Sequence, residues 1–208
     1  MSPRRRDTEG TAAARAERRA ELLAAAAEVF ASQGYAATTI RQVADAAGIL
    51  GGSLYYHFDS KESMADEILS TFLNEMWASY ERVLASGLDA RETMEAIVVE
   101  SFRSIERHRP AVVLYQNESK HLAAGERFRY LLDSHRRFEA MWTALLDRGV
   151  EEGAFRADLD RGLVYRFIRD TVWVAANWYQ PAGRLSADDI AKQYLAMVLE
   201  GIQATRAT

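Results

Sequence analysis

Apolar residues recur along the chain with the three-to-four-residue period of an α-helix, and no strand signal interrupts them. Glycine and proline punctuate this pattern, most clearly at Gly48, Gly153 and the sequence His108-Arg109-Pro110. The predicted helices span residues 12–33, 39–47, 52–58, 61–86, 89–108, 110–122, 126–152, 159–179 and 186–204. The pattern therefore predicts an all-α protein of about nine helices.

The fourth predicted helix, residues 61–86, keeps a helical apolar period throughout. At 1.5 Å per residue, about 26 residues span roughly 39 Å, which is long enough to belong to two domains. We therefore predict a flexible basic arm at residues 1–11, an N-terminal module at 12–65 and a larger C-terminal domain at 66–208.

Residues 38–61 predict two short helices separated by a tight turn. A hydroxyl of Thr38 or Thr39 can cap the first helix, and Gly48 suits its end. The second helix starts near Gly52 and is crowded with aromatic and polar side chains. This arrangement is typical of a helix-turn-helix that reads DNA.

The run Ala47–Glu62, together with Phe30, Gly34-Tyr35 and Thr38-Thr39-Ile40, resembles the signature of TetR-family (AcrR-like) transcriptional regulators. One departure is Leu50, which stands where the family often has a Ser or Thr cap. The resemblance implies a three-helix DNA-binding module followed by a ligand-binding and dimerisation domain. It also implies a homodimer that binds palindromic double-stranded operator DNA.

Candidate DNA contacts follow from residue chemistry. The polar tips of Tyr56 and His57 suit phosphate oxygens, whereas Leu54 and Phe58 have the spacing of core residues. Glycines at the start of the second helix let it approach base edges. The predicted DNA-binding residues are Thr38, Thr39, Arg41, Gly51, Gly52, Ser53, Tyr55, Tyr56, His57 and Lys61.

The overall formal charge of −4 hides a basic N-terminus, because the first 20 residues hold six arginines and three acidic residues. The first ten residues are interpreted either as a solvated tail or as an arm that contacts DNA. Cysteine is absent, no apolar run is long enough for a membrane span, and no signal peptide is recognised. A cytoplasmic protein without a membrane partner is therefore predicted.

Motifs for catalysis are missing from the sequence. Its four histidines fall in no metal-ligand spacing, and neither a G-x-S-x-G elbow nor a phosphate-binding loop occurs. We predict no enzymatic activity, no catalytic residue, no metal and no cofactor.

The second informative segment is 163–179, which is apolar around most of its circumference yet carries Arg166, Arg169 and Asp170. A buried guanidinium needs a partner. Arg169 therefore either pairs with Glu118 or Asp170, or it faces a cavity that takes an anionic ligand. The predicted ligand-binding residues are Tyr115, Gln116, Arg166, Arg169, Trp173 and Asn177, of which the last three are spaced at i, i+4 and i+8.

Residues 165–173, Trp178-Tyr179 and 48–55 are also similar to actinobacterial repressors of steroid-ring and cholesterol catabolism. This resemblance implies that the inducer is a coenzyme A thioester of a partly degraded steroid. An apolar cavity would hold its acyl part, and arginine would bind its phosphate or carboxyl oxygens.

An apolar face on the last helix is predicted to form the dimer interface, although it can instead pack within its own subunit. The interface residues predicted are Ile190, Tyr194, Met197, Val198 and Ile202. The sequence thus predicts a ligand-released homodimeric repressor. The alternative is a helical small-molecule sensor that does not bind DNA.

Overall fold

The computed structural model describes residues 3–202, with side chains from Ala13 onward. Within this range the chain is helical and contains no strand, which confirms the predicted fold class. Its eight α-helices are α1 (Pro3–Gln33), α2 (Ile40–Ala46), α3 (Gly51–Leu54), α4 (Lys61–Leu84), α5 (Ala90–Leu122), α6 (Tyr130–Glu151), α7 (Arg161–Trp173) and α8 (Ala187–Ile202). None of these helices is long and apolar enough to cross a membrane.

Two compact units meet between Thr71 and Phe72, inside α4, whereas the sequence placed the boundary at 65/66. Helix α1 begins at Pro3, so it extends through most of the segment predicted to be a flexible arm. The side chains of residues 3–12 and residues 203–208 lie outside the described part, so the DNA contacts of the arm stay a prediction.

In the first unit, α1 packs on α2, and α2 on α3. The turn before α2 is fixed by Gly34, whose φ of +82° suits glycine, and by the edge-on contact of Phe30 with Tyr35. Leu54 and Phe58 are buried as predicted. They anchor the short helix α3 and the turn that follows it.

In the second unit, α5 packs against α6, α7 and α8. The sequence predicted two helices here, but α5 is continuous through a kink at His108, where φ is −129° and ψ is 28°. Pro110 lacks an N–H and clashes with the preceding turn, which explains a kink at this point. His108 Nε2 lies 2.9 Å from Glu75 Oε2 on α4.

Two predicted helices are shorter than expected because 3-10 turns replace one end of each. The turn Glu126–Phe128 precedes α6, and the turn Val174–Asn177 follows α7. A 3-10 turn advances the chain by three residues per turn instead of 3.6, so side chains beyond Trp173 leave the face that α7 presents.

Tight packing surrounds Gly149 on α6, where an added Cβ would lie 2.0 Å from Phe155 Cδ2. Gly149→Ala should therefore lower the free energy of unfolding by about 1–3 kcal/mol through overpacking. Gly201→Ala on α8 is the control, because a Cβ there meets nothing within 4 Å. This control lies next to the end of α8, so it should change the free energy of unfolding by at most about 0.5 kcal/mol. Equal urea midpoints for the two variants would contradict the packing argument.

Candidate DNA-binding and ligand-binding sites

The helix-turn-helix consists of α2, the turn 47–50 and α3, a single helical turn. Leu50 occupies the N-cap of α3 and offers no side-chain cap, as its apolar character implies. Tyr55 and Tyr56 project from the end of α3, and Tyr56 is 81% exposed. Added Cβ atoms at Gly51 and Gly52 would meet nothing within 4 Å, so the fold itself does not demand glycine there.

Thr38 and Thr39, both predicted to contact DNA, have local roles in the structure. Thr38 is only 2% exposed and donates to the Gly34 carbonyl at 2.8 Å, so burial removes it from the DNA-facing surface. Thr39 is exposed and forms a capping box with Gln42, whose side chain accepts from the Thr39 backbone N–H at 2.8 Å. Thr39 therefore starts α2 and still borders solvent.

Lys61 is half-buried, and its ammonium is held by backbone carbonyls of the turn between α1 and α2. Lys61 Nζ donates to the oxygens of Tyr35 at 2.8 Å, Thr38 at 2.9 Å and Ala36 at 3.4 Å, and it lies 4.4 Å from the centroid of the Tyr35 ring. An ammonium has three donors. These contacts occupy them, so the structure corrects the prediction of a phosphate contact at Lys61.

The remaining predicted DNA contacts differ in exposure. Arg41 is exposed on α2 and lies 3.9 Å from Asp45 at its nearest approach. Ser53 and His57 are half-buried. The backbone carbonyl of His57 accepts a hydrogen bond from Arg19 of α1, a contact that the sequence did not predict.

A cavity of about 370 Å³ lies within the second unit. Its walls come from α4, α5, α6 and α7, and seven of the sixteen lining residues are Phe, Tyr or Trp. The lining residues are Phe72, Met76, Tyr80, Tyr115, Gln116, Ser119, Lys120, Leu132, His135, Phe138, Glu139, Trp142, Tyr165, Arg169, Asp170 and Trp173. Four of the six predicted ligand residues, Tyr115, Gln116, Arg169 and Trp173, are among them.

A polar group sits among these aromatic walls. The Tyr115 hydroxyl lies 3.1 Å from His135 Nδ1, and the Ser119 hydroxyl lies 3.3 Å from His135 Nε2. Burial lowers the pKa of His135, and the positive charges of Arg169 and Lys120 lower it further. Burial also raises the pKa of Tyr115. The cavity thus favours a neutral imidazole beside the cations Arg169 and Lys120, and the carboxylates of Glu139 and Asp170 also line it.

Arg169 reaches the cavity from α7 and pairs with Asp170, with Nε 2.7 Å from Oδ1. Of the two acidic partners predicted for Arg169, Asp170 forms the ion pair and Glu118 does not. The hydrogen bond to Asp170 raises the pKa of Arg169. However, the Arg169 side chain is 39% exposed, so this is not a sealed ion pair and the guanidinium remains accessible.

Arg166 and Asn177 do not belong to the cavity, which corrects two predictions. Arg166 points to the exposed side of α7. Asn177 is exposed in the 3-10 turn after Trp173, where the change of helical period ends the i, i+4, i+8 alignment. Conversely, Ser119 and His135 line the cavity and were not predicted, because their chain positions alone do not reveal that α5 and α6 bring them together.

The last helix divides its predicted interface residues between core and surface. Tyr194 and Ile202 are buried, and the Tyr194 hydroxyl lies 2.9 Å from that of Thr171, so these two pack within the subunit. Ile190 and Val198 are half-buried, whereas Met197 is 72% exposed. Four exposed apolar residues on and after α7 were not predicted, namely Leu163, Phe167, Val174 and Trp178.

Among residues 13–202, no cluster of His, Cys, Asp and Glu is arranged to hold a metal ion. The architecture instead combines a helix-turn-helix unit with a helical unit that encloses a ligand-sized cavity. This combination defines a DNA-binding transcriptional regulator of the ligand-responsive type.

Comparison with known families agrees with this class. Residues 22–68 match the tetR family of bacterial regulatory proteins, and residues 87–202 match the tetracyclin repressor-like C-terminal domain. The chain belongs to the TetR family of transcriptional regulators. Membership confirms the sequence resemblance and the prediction that the chain is a regulator and not an enzyme.

Several individual proteins are similar over most of the chain. The HTH-type transcriptional repressor KstR2 of Rhodococcus jostii is 53% identical over 185 residues, which cover 89% of this chain and 91% of that protein. A structure described as the ketosteroid transcriptional regulator KstR2 of Mycobacterium tuberculosis has 49% identity and a TM-score of 0.88, covering 90% and 96% of the two chains. A structure of AibR with isovaleryl coenzyme A and operator DNA is 20% identical with a TM-score of 0.74, covering 86% and 97%, and shows likeness of fold.

Removal of the Lys61 ammonium tests its assigned role. Lys61→Ala should lower the free energy of unfolding by about 1–2 kcal/mol, because three carbonyls lose a charged donor in a partly exposed site. The salt dependence of DNA binding should stay as in the unmodified protein, since no phosphate contact is lost. Arg41→Ala on α2 is the comparison, with little expected effect on stability. A Lys61→Ala protein of full stability whose salt slope falls by about 1 would instead show a phosphate contact.

Proposed function

We propose that the protein is a transcriptional repressor that binds a palindromic operator as a homodimer in the cytoplasm and is released by an anionic ligand with a bulky apolar part. The best-supported ligand class is the coenzyme A thioester of a partly degraded steroid. The observation that carries this proposal is the aromatic cavity with Arg169, Tyr115 and His135 at its polar side. High identity to proteins named as KstR2 repressors supports the steroid part.

The volume of the cavity supports different locations for the ring part and the nucleotide part of such a ligand. A cavity of about 370 Å³ lies near the lower end of the usual range for small-molecule sites, which is roughly 300–1,000 Å³. It suits a compact ring system between Phe72, Trp142 and Trp173 rather than a whole coenzyme A thioester. The nucleotide part would extend past the exposed side chain of Lys120, which supplies a second positive charge.

Repression requires the two recognition helices of a dimer to enter successive major grooves, about 34–36 Å apart. Helix α4 supplies Phe72, Met76 and Tyr80 to the cavity and continues without a break to Lys61. A ligand that fits the cavity better when α4 is displaced would shift the dimer toward the form that does not match the operator. Such a ligand needs only different affinities for the two forms.

A sensor that has lost DNA binding is the weaker alternative. The exposed Tyr55 and Tyr56 and the open positions Gly51 and Gly52 favour a recognition helix that still faces DNA.

Arg169 tests the ligand site. Arg169→Met should weaken ligand binding by about 1.5–3 kcal/mol, or roughly tenfold to somewhat over a hundredfold, through loss of a charge-assisted contact. Stability should change little, because a half-exposed ion pair contributes about 0–1 kcal/mol. The measurement is release of the protein from operator DNA by coenzyme A thioesters of steroid-derived ring acids, with the free acids and coenzyme A as comparators.

Arg166→Met is the matched control, since Arg166 lies on the same helix but outside the cavity. It should respond to thioesters as the unmodified protein does. Equal release of both variants, or a large loss of melting temperature in Arg169→Met alone, would remove Arg169 from the ligand site.

Substitution of exposed apolar residues on α7 and α8 tests whether the protein is a dimer. Phe167 is 63% exposed and Met197 is 72% exposed, and a monomer would leave both side chains in water. Phe167→Glu and Met197→Glu should each produce monomers at micromolar concentration in sedimentation velocity, and these monomers should bind a palindromic operator weakly. Leu84→Glu, at an exposed leucine on α4, should remain dimeric. A monomeric unmodified protein would refute this part of the proposal.

A further inference from the structure

Arg19 on α1 lies at the junction of three elements of the first unit. Its Nε donates to Glu67 Oε1 of α4 at 2.9 Å, and its Nη2 donates to Glu67 Oε2, which makes the pair bidentate. Its Nη1 donates to the His57 backbone carbonyl. The guanidinium carbon lies 4.1 Å from the centroid of the Phe58 ring.

These contacts matter because, apart from the buried Leu54 and Phe58, α3 has little to hold it in place. It is one turn long, its N-cap Leu50 gives no side-chain hydrogen bond, and isolated helices of this length are unstable. Backbone hydrogen bonds from His57 and Phe58 to the Leu54 carbonyl continue the turn, but the His57 carbonyl itself turns to Arg19. The end of the recognition helix is therefore held by Arg19 of α1, which is itself held by Glu67 of α4.

The planar fork of the guanidinium fits this position. Arginine binds a carboxylate with two parallel hydrogen bonds and still has a donor and an open face for a carbonyl and an aromatic ring. The hydrogen bond to Glu67 raises the pKa of Arg19. A lysine would keep the charge but would lose the simultaneous contacts with Glu67 and His57.

We propose that Arg19 and Glu67 form a positioning pair that holds His57 and Phe58, and with them the end of the recognition helix, in place. Discrimination between operators would then depend on two residues that do not touch DNA. This inference rests on the proposed function, because it presupposes sequence-specific DNA binding. It gives a specific role to one of the six arginines counted in the basic N-terminus. Glu67 belongs to α4, the helix whose displacement the proposed function invokes, so the pair attaches the recognition helix to the moving element.

The competing role for Arg19 is a direct phosphate contact. The two roles make opposite predictions for Glu67→Gln. If Arg19 positions α3, removing the carboxylate charge weakens the pair and lowers operator affinity. If Arg19 binds phosphate, removing the competing carboxylate leaves affinity unchanged or raises it.

The experiment uses the full-length dimer and a duplex selected by the unmodified protein from random sequences, with a scrambled duplex of equal length as the non-specific probe. Arg19→Gln and Glu67→Gln should each lower affinity for the selected duplex by roughly tenfold, with non-specific affinity unchanged. The salt slope should stay constant, because no phosphate contact disappears. The double variant should lose no more than either single variant, as expected for two members of one pair.

Arg18→Gln is the matched control, since Arg18 pairs with Glu21 on the exposed side of the same helix. It should keep the ratio of specific to non-specific affinity. Arg19→Lys covers the case in which Arg19→Gln does not fold, and it should show the same loss of ratio at a near-normal melting temperature. A slope reduced by about 1 per lost contact in Arg19→Gln but not in Glu67→Gln would establish a phosphate contact and overturn the proposal.

Unchanged operator affinity in both single variants would also overturn it. If the unmodified protein selects no duplex at all, the proposed function is refuted, and this inference with it. If it selects a duplex but the single variants bind that duplex as well as it does, only this inference is refuted.

Discussion

The recognition helix α3 is a single turn, and this shortness governs the organisation of the first unit. A helix nucleus fixes several backbone dihedrals for one hydrogen bond, so four residues do not remain helical by themselves. Burial of the Leu54 and Phe58 side chains in the core of the first unit therefore stabilises α3. Lys61 binds backbone carbonyls of the turn before α2, and Arg19 binds the His57 carbonyl after α3. Two basic residues of a DNA-binding module thus form contacts within the protein, Lys61 with backbone carbonyls and Arg19 with Glu67 and one backbone carbonyl.

The second unit meets a different constraint, the presence of polar side chains in a cavity lined in part by aromatic residues. Tyr115, His135 and Ser119 satisfy one another through hydrogen bonds, which avoids leaving a buried polar atom without a partner. Arg169 keeps one side in solvent and one toward the cavity, so it escapes the desolvation penalty of a sealed ion pair. This arrangement keeps positive charge available at the rim of an apolar space.

Helical periodicity was sufficient to predict the fold class, because an apolar stripe records which side of a helix is buried. Periodicity was insufficient to predict the role of individual polar residues. Thr38 and Lys61 have side chains that suit phosphates, but spacing does not reveal that a nearby turn presents carbonyls to them. Asn177 was misplaced because the sequence does not mark where α7 changes to a 3-10 turn. His135 was missed because partners on different helices become neighbours only after folding.

The open space around Gly51 and Gly52 has a consequence for how such a regulator changes over time. A Cβ atom added at either position meets no protein atom within 4 Å, and neither glycine has a positive φ. Replacement by alanine therefore meets no steric obstacle in the protein, while it alters the surface at the start of the recognition helix. Preference for DNA sequence and stability of the domain are separable traits at these two positions. A lineage can acquire a new operator there without first acquiring a compensating mutation in its core.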